Sequence, residues 1–249
     1  VVPTVILFIY LRFSKTNFFR GNYKIMLLSS VLNAIRMWFY ILAFKYTSIG
    51  NSVIILFTWP IFATIFGIIF LKEKVDKKVG LLLAVAFVGI VVVYINKDIN
   101  FADRDFLGMF IMLISAVIFS LTTIIFKKES INYSKTEIVF YQNFVGAIIF
   151  LPFIFTNYPF PTFKQSFIAI LYGILVGVVA FMLFFYSLRR LKISYYSLLN
   201  YWEVPCSIIF GIIFFKEMIS VNMIIGGILI FTSGILLVLD KHLTAKSSY

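Results

Sequence analysis

Long apolar runs recur through this chain, near residues 25–44, 50–71, 79–96, 107–126, 137–156, 166–188, 194–215 and 221–239. Each is roughly 20 residues, enough for a helix to cross a hydrocarbon core of about 30 Å. Charged stretches such as KEKVDKK, NKDINFADRD, FKKESINYSK and LRRLK separate them. The alternation predicts eight complete membrane-spanning helices. A ninth is partial: VVPTVILFIYL offers 11 residues before Arg12, about 16 Å of helix at about 1.5 Å per residue. No basic residues precede it, as they would in a signal peptide. It reads as the second half of a spanning helix whose start is missing.

Composition agrees with a membrane protein: 62% of residues are hydrophobic, 13% are charged and mean hydropathy is +1.03. A soluble domain needs far more polar surface than that. The net charge of +12 raises nucleic acid as a partner, but the basic residues lie scattered between apolar runs rather than in one patch, which argues against it. The single cysteine, Cys206, rules out an internal disulfide framework and reads as a small helix-packing residue.

Charge also predicts topology. With the partial first helix ending in the cytoplasm, alternate loops collect sixteen Lys and Arg residues, among them Arg12, Lys15, Arg20, Lys72, Lys77, Lys128, Arg189, Lys192, Lys241 and Lys246. The other side holds five, Lys45, Lys97, Arg104, Lys164 and Lys216, and Arg36 lies inside a span. The excess marks the cytoplasmic face and places the C-terminus there.

The chain repeats itself. FGIIFLKE at residues 66–73 returns as FGIIFFKE at 210–217, an offset of 144. Residues 43–96 and 187–239 share the order short basic loop, helix, repeated string, Gly-containing helix. Pro60 stands seven residues before Gly67 and Pro205 six before Gly211, so the alignment slips by one there. The order predicts a tandem duplication of five spans. Five being odd, the second copy enters the membrane inverted, so Glu73 ends on the cytoplasmic side and Glu217 on the opposite one. Lysines follow Glu73 (KVDKK) and not Glu217 (MISVN), as the positive-inside bias requires. Inverted repeats are common among secondary transporters.

The residues AFKYTSIGNSVIILFTWPIFATIFGIIFLKE with Gly80 and Gly89, and SLRRLKISYYSLLNYWEVPCSIIFGIIFFKE with Gly226, Gly227 and Gly234, resemble the paired EamA domains of the drug/metabolite transporter superfamily. The resemblance covers nearly the whole chain. It implies an all-α polytopic membrane protein of two inverted five-helix repeats, a ten-helix transporter fold. Here about nine helices are expected with the first missing: a truncated first EamA repeat at 1–98 and a second at 105–241. The WEVP spacing around Pro205 departs from the family pattern.

Charged side chains at membrane depth are costly, about 2.5–3.5 kcal/mol for Arg on insertion scales, so each is a functional candidate. Arg36 and Glu203 lie about 16 and 14 Å from the cytoplasmic end of their spans. One reading has them face a shared cavity, Arg36 meeting a substrate carboxylate and Glu203 an amine or a proton. The other is an interhelical salt bridge. Tyr196 and Asn200 share a helical face with Glu203 through spacings of four and three, and Asn33 shares one with Arg36. Trp59 is the repeat equivalent of Glu203, and Tyr141 and Gln142, beside Asn143, form a second polar cluster. Amides and amphipathic rings suit a cavity for a polar metabolite; interfacial belting or helix packing is the alternative for each ring taken singly. Pro60 and Pro205 remove backbone donors within spans and read as fixed kinks or hinges. Gly173 and Gly177 form a GxxxG, read as close helix packing. Glu73 and Glu217, at helix ends, read as solvated or locally ion-paired.

Enzyme chemistry finds no residues to use. The one histidine, His242, is in the C-terminal tail, no span contains an aspartate, and there is no HExxH and no Gly-rich phosphate loop. No cofactor or metal is expected. The expected function is alternating-access movement of a small organic metabolite across a membrane, the bacterial inner membrane on the family resemblance. An amino acid or related zwitterion or amine is favoured, coupled to a proton or a counter-substrate. A channel or a non-transporting scaffold on the same fold is the competing class.

Overall fold

The computed structural model describes residues 1–15, 21–94, 103–155, 162–216, 218 and 220–239. Arg20, Lys97, Glu217, Lys241, His242 and Lys246 lie outside the described residues. Those described form helices joined by short turns, in the order α1 (Val2–Phe13), α2 (Tyr23–Tyr46), α3 (Ile49–Leu56), α4 (Trp59–Leu71), α5 (Lys77–Tyr94), α6 (Asp103–Glu129) and α7 (Lys135–Phe150). After a 3₁₀ turn come α8 (Phe163–Ile174), a π-helical segment (Leu175–Ala180), α9 (Phe181–Arg190), α10 (Ile193–Asn200), α11 (Glu203–Phe215) and α12 (Val221–Leu239). Grouped by length and hydropathy they make eight helices able to cross a membrane, among them Tyr23–Tyr46, Ile49–Leu71, Phe163–Arg190 and Ile193–Phe215, plus the shorter apolar helix Val2–Phe13. All eight expected spans are present, and the chain is an all-α polytopic membrane protein.

Two of the spans are broken at repeat-equivalent points. α3 gives way to α4 at Phe57 and Thr58, and α10 gives way to α11 at Tyr201 and Trp202. Pro60 and Pro205 therefore fall in the first turn of a half-helix, where the missing N–H removes no ladder bond. Around the first break the ladder tightens: Ile61 N–H bonds Thr58 C=O at 3.0 Å rather than the carbonyl of Phe57. The freed Phe57 carbonyl accepts instead from the fully buried Tyr201 hydroxyl at 3.0 Å. Phe57 and Tyr201 are 144 residues apart, the offset of the sequence repeat.

The repeated strings end alike. Lys72 and Lys216 close α4 and α11 in the left-handed conformation, with φ of 54° and 53°, and their N–H groups point back to the carbonyls of Gly67 and Gly211. Such a terminus satisfies carbonyls that the helix end would otherwise strand.

The described chain divides into two compact units, Val1–Ile35 with Ile125–Arg189, and Arg36–Ile124 with Arg190–Tyr249. Each draws on both halves of the sequence. In the first unit Phe126 packs edge-on to Phe185 at 5.4 Å, and Phe8 lies 6.2 Å from Phe140. The GxxxG behaves as expected: a Cβ on Gly173 would stand 3.3 Å from that of Val2, and one on Gly177 would collide with Pro3. Capping boxes start α7 (Ser134 with Glu137) and α8 (Thr162 with Gln165). In the second unit Val79, Leu83, Ala86 and Ile90 of α5 form a core with Leu198, Tyr201, Ile230 and Leu237. α5 and α12 meet backbone to backbone where a Cβ on Gly89 would lie 2.8 Å from the Gly226 carbonyl.

Candidate functional site

The expected site residues divide between the units. Asn33, Tyr141 and Gln142 belong to the first; Arg36, Trp59, Tyr196, Asn200 and Glu203 belong to the second.

In the second unit the broken spans put Trp59 and Glu203 at matching places, the first residue of α4 and of α11. Their surroundings differ. Trp59 is buried, its ring 4.8 Å from Phe119 and 6.3 Å from Tyr196, both edge-on, and its carbonyl accepts from Ser120 Oγ at 2.8 Å. Glu203 is exposed. A carboxylate at the first position of a helix sits favourably in the field of its N-terminal N–H groups.

Arg36 lies half-buried on α2 with its guanidinium carbon 4.3 Å above the centre of the Phe119 ring. The contact is a cation–π interaction, worth about 0.5–2 kcal/mol depending on desolvation. Its Nε is buried and has no hydrogen-bond partner among the described residues. Ser115 Oγ donates to the Arg36 carbonyl at 3.1 Å and so ties α6 to α2 at this level. Arg36 and Glu203 form no ion pair with one another among the described residues, so the interhelical salt bridge is not formed.

Phe119 is the residue that sequence reasoning missed. It joins Arg36 to Trp59, and through Trp59 to Tyr196, in one continuous run of contacts. In the sequence it is one of 31 phenylalanines. The signal that singles it out is its setting between Ser115 and Ser120, small hydroxyl residues that mark the packed face of a membrane helix. Asn200 is half-buried, and its amide donates to the Tyr196 carbonyl one turn back at 2.7 Å. The hydroxyls of Ser52 on α3 and of Ser194 and Ser197 on α10 are buried without hydrogen-bond partners among the described residues. Groups of this kind ask for an explanation such as water or a polar ligand.

In the first unit the amide oxygens of Asn33 and Gln142 are likewise buried and unbonded among the described residues. Tyr141 is buried edge-on against Tyr133 at 5.9 Å. Asn143 is structural: its amide donates to the Val139 carbonyl at 2.9 Å and to the Gly177 carbonyl in the π-helical segment at 3.3 Å. Its role is to satisfy a widened helical turn.

Glu73 has a partner far along the chain, beyond the solvent or local ion pair expected at a helix end. Its Oε2 accepts from the backbone N–H of Ile193, the first residue of α10, at 2.7 Å. Among the described residues no cluster of His, Cys, Asp and Glu could hold a metal ion.

Comparison with known proteins agrees with this architecture. A solved crystal structure superposes with a TM-score of 0.83 over 96% of this chain and 85% of its own, at 15% identity, and shares the fold. An uncharacterized transporter of Archaeoglobus fulgidus is 23% identical over 201 residues, 81% of this chain and 71% of the relative. The pseudopaline exporter CntI of Pseudomonas aeruginosa is 21% identical over 234 residues, 92% of this chain and 80% of the relative. The family model for EamA-like transporters matches twice, at residues 1–95 and 106–239. With nine-tenths of its length inside those two matches, the chain belongs to the EamA-like transporter family.

Proposed function

We propose that the chain is a carrier for a small organic metabolite bearing a carboxylate, an amino acid or related zwitterion or amine, moved by alternating access with proton coupling or exchange. In this reading the two repeats are inverted relative to one another, the protein sits in a bacterial inner membrane, and its C-terminus is cytoplasmic. Arg36 receives the carboxylate. Trp59, Phe119 and Tyr196 supply an amphipathic wall, and Glu203 with Asn200 meets an amine or a proton. Within the first unit, Asn33, Tyr141 and Gln142 are candidates in their own right for amide and hydroxyl contacts to a polar substrate.

The observation that carries this reading is Arg36 itself: a guanidinium at membrane depth, stacked on Phe119, with its Nε unbonded. A planar fork of donors suits a carboxylate better than an ammonium does. Phe119 holds the group through its π face and leaves the edge of the fork for a ligand.

Counterflow of a panel of radiolabelled amino acids in proteoliposomes tests it. Wild type is expected to give saturable counterflow for at least one of them. Arg36→Gln is expected to lose about two decades in kcat/KM, the scale of a lost hydrogen-bonded contact to a charge, with Arg36→Lys retaining part of the activity. Linear, non-saturating flux would mark a channel instead, and absence of flux a scaffold. Unchanged kinetics in Arg36→Gln would remove Arg36 from the site.

A further inference from the structure

The two copies of the repeated string end in unlike surroundings within the second unit. At the end of α4 the helices are shut. A Cβ on Gly67 would lie 3.2 Å from Cβ of Ile193, and Ile193 is 0% exposed. Lys72 turns the chain back through its left-handed conformation, and Glu73, the next residue, bonds Ile193 N–H at 2.7 Å. The repeat equivalents of Gly67 and Ile193 are Gly211 and Ile49. Here Ile49 is 70% exposed, and it lines with Gly211, Ser207, Phe210 and Phe215 a cavity of about 430 Å³. Glu203 lies one helical turn before Ser207 on the same face of α11.

Capping follows the same division. α3 starts on Ser48, whose side chain accepts from the Asn51 N–H. The equivalent residue before α10 is Lys192, which makes no capping bond and has no acceptor to offer. The N-terminus of α3 is thus satisfied from within its own chain segment, and that of α10 is satisfied by a carboxylate just beyond the end of α4. Separation of α4 from α10 leaves α3 capped and uncaps α10.

From this we infer that Glu73 is a positioning residue for transport: its bond to the N-terminus of α10 latches one end of the α3–α4/α10–α11 assembly while the other end stands open. The inference rests on the alternating-access reading above. Opening this end requires the Glu73 carboxylate to leave Ile193 N–H and Ile193 to leave Gly67, so weakening the bond raises how often the end opens.

Single-cysteine accessibility in the full chain tests it, in a Cys206→Ser background because Cys206 is free and exposed. A maleimide reagent is applied to Ile49→Cys and Ile193→Cys in proteoliposomes. Ile49→Cys is expected to label readily and Ile193→Cys slowly. Glu73→Ala is expected to raise labelling of Ile193→Cys about tenfold, the population shift that follows loss of one hydrogen bond to a charged group. Labelling of Ile49→Cys should fall. Adding Lys192→Ser to Glu73→Ala supplies α10 with a local cap like that of α3. If Glu73 only caps the helix, the added serine will restore protection of Ile193→Cys, and the latch is refuted. If Glu73 ties α10 to α4, thermal stability will recover while Ile193→Cys stays accessible. Glu73→Ala labelling equal to wild type would also refute the latch. Counterflow on the same samples separates the two failures: saturable counterflow with unchanged labelling rejects the latch alone, and absence of saturable counterflow in wild type rejects the carrier reading beneath it.

Discussion

The half-helix pairs α3–α4 and α10–α11 are nearly the same object built twice. Each breaks at the same place, starts its second half with a proline in the first turn, and ends on a left-handed lysine that returns to a glycine carbonyl. Yet the first residue of α4 is a buried tryptophan and that of α11 an exposed glutamate, while Ile193 is sealed and Ile49 is open. The two copies share the backbone device and differ in their side chains. A repeat whose copies pack identically has no reason to prefer one arrangement; this unit has unequal ends, and a few named contacts hold them so.

The glycines of the two strings probe that inequality most strongly. Gly67→Val forces side-chain atoms into Ile193 and is expected to destabilise by about 1–3 kcal/mol, the usual range for overpacking. Gly211→Val adds its methyls beside a cavity and should cost under about 1 kcal/mol. Thermal unfolding in detergent reads both, and equal losses would mean that the two ends are packed alike. The link between the breaks comes next. Tyr201→Phe keeps the ring and strands the Phe57 carbonyl in the core, for an expected loss of about 1–3 kcal/mol. A stability equal to wild type would show that the carbonyl finds another donor. The smallest effect concerns the caps: Ser48→Ala should cost about 0.5–1 kcal/mol, whereas Lys192→Ala should be near neutral because that cap comes from Glu73. Matching losses would contradict the division of labour between the two helix starts.

Much of this was legible in the residue order. An apolar run of about 20 residues in a bilayer has one answer, because every backbone N–H and C=O must be satisfied within the segment. The eight spans are therefore where the runs are. The GxxxG of α8 and the π-helical segment packs closely for the same local reason. The prolines marked the right spans but not the form of the irregularity: a helical break depends on who takes the freed carbonyl, and Tyr201 sits 144 residues from Phe57. The Glu73 bond to α10 was not legible for a like reason, since that donor is a backbone N–H 120 residues away. Phe119 was passed over because a phenylalanine in an apolar helix carries no mark of what its ring covers.

Local composition and periodicity, then, decided the all-α polytopic architecture, the spans, the repeated string and the membership of the EamA-like transporter family. They also picked out Arg36, because a charge in an apolar run is conspicuous whatever surrounds it. Tertiary packing decided the rest: that Arg36 rests on Phe119, that Trp59 is sealed while Glu203 is open, and that Glu73 caps α10. Those are facts about which long-range surfaces meet. Two nearly identical strings cannot encode them, since the difference lies in what each one is pressed against.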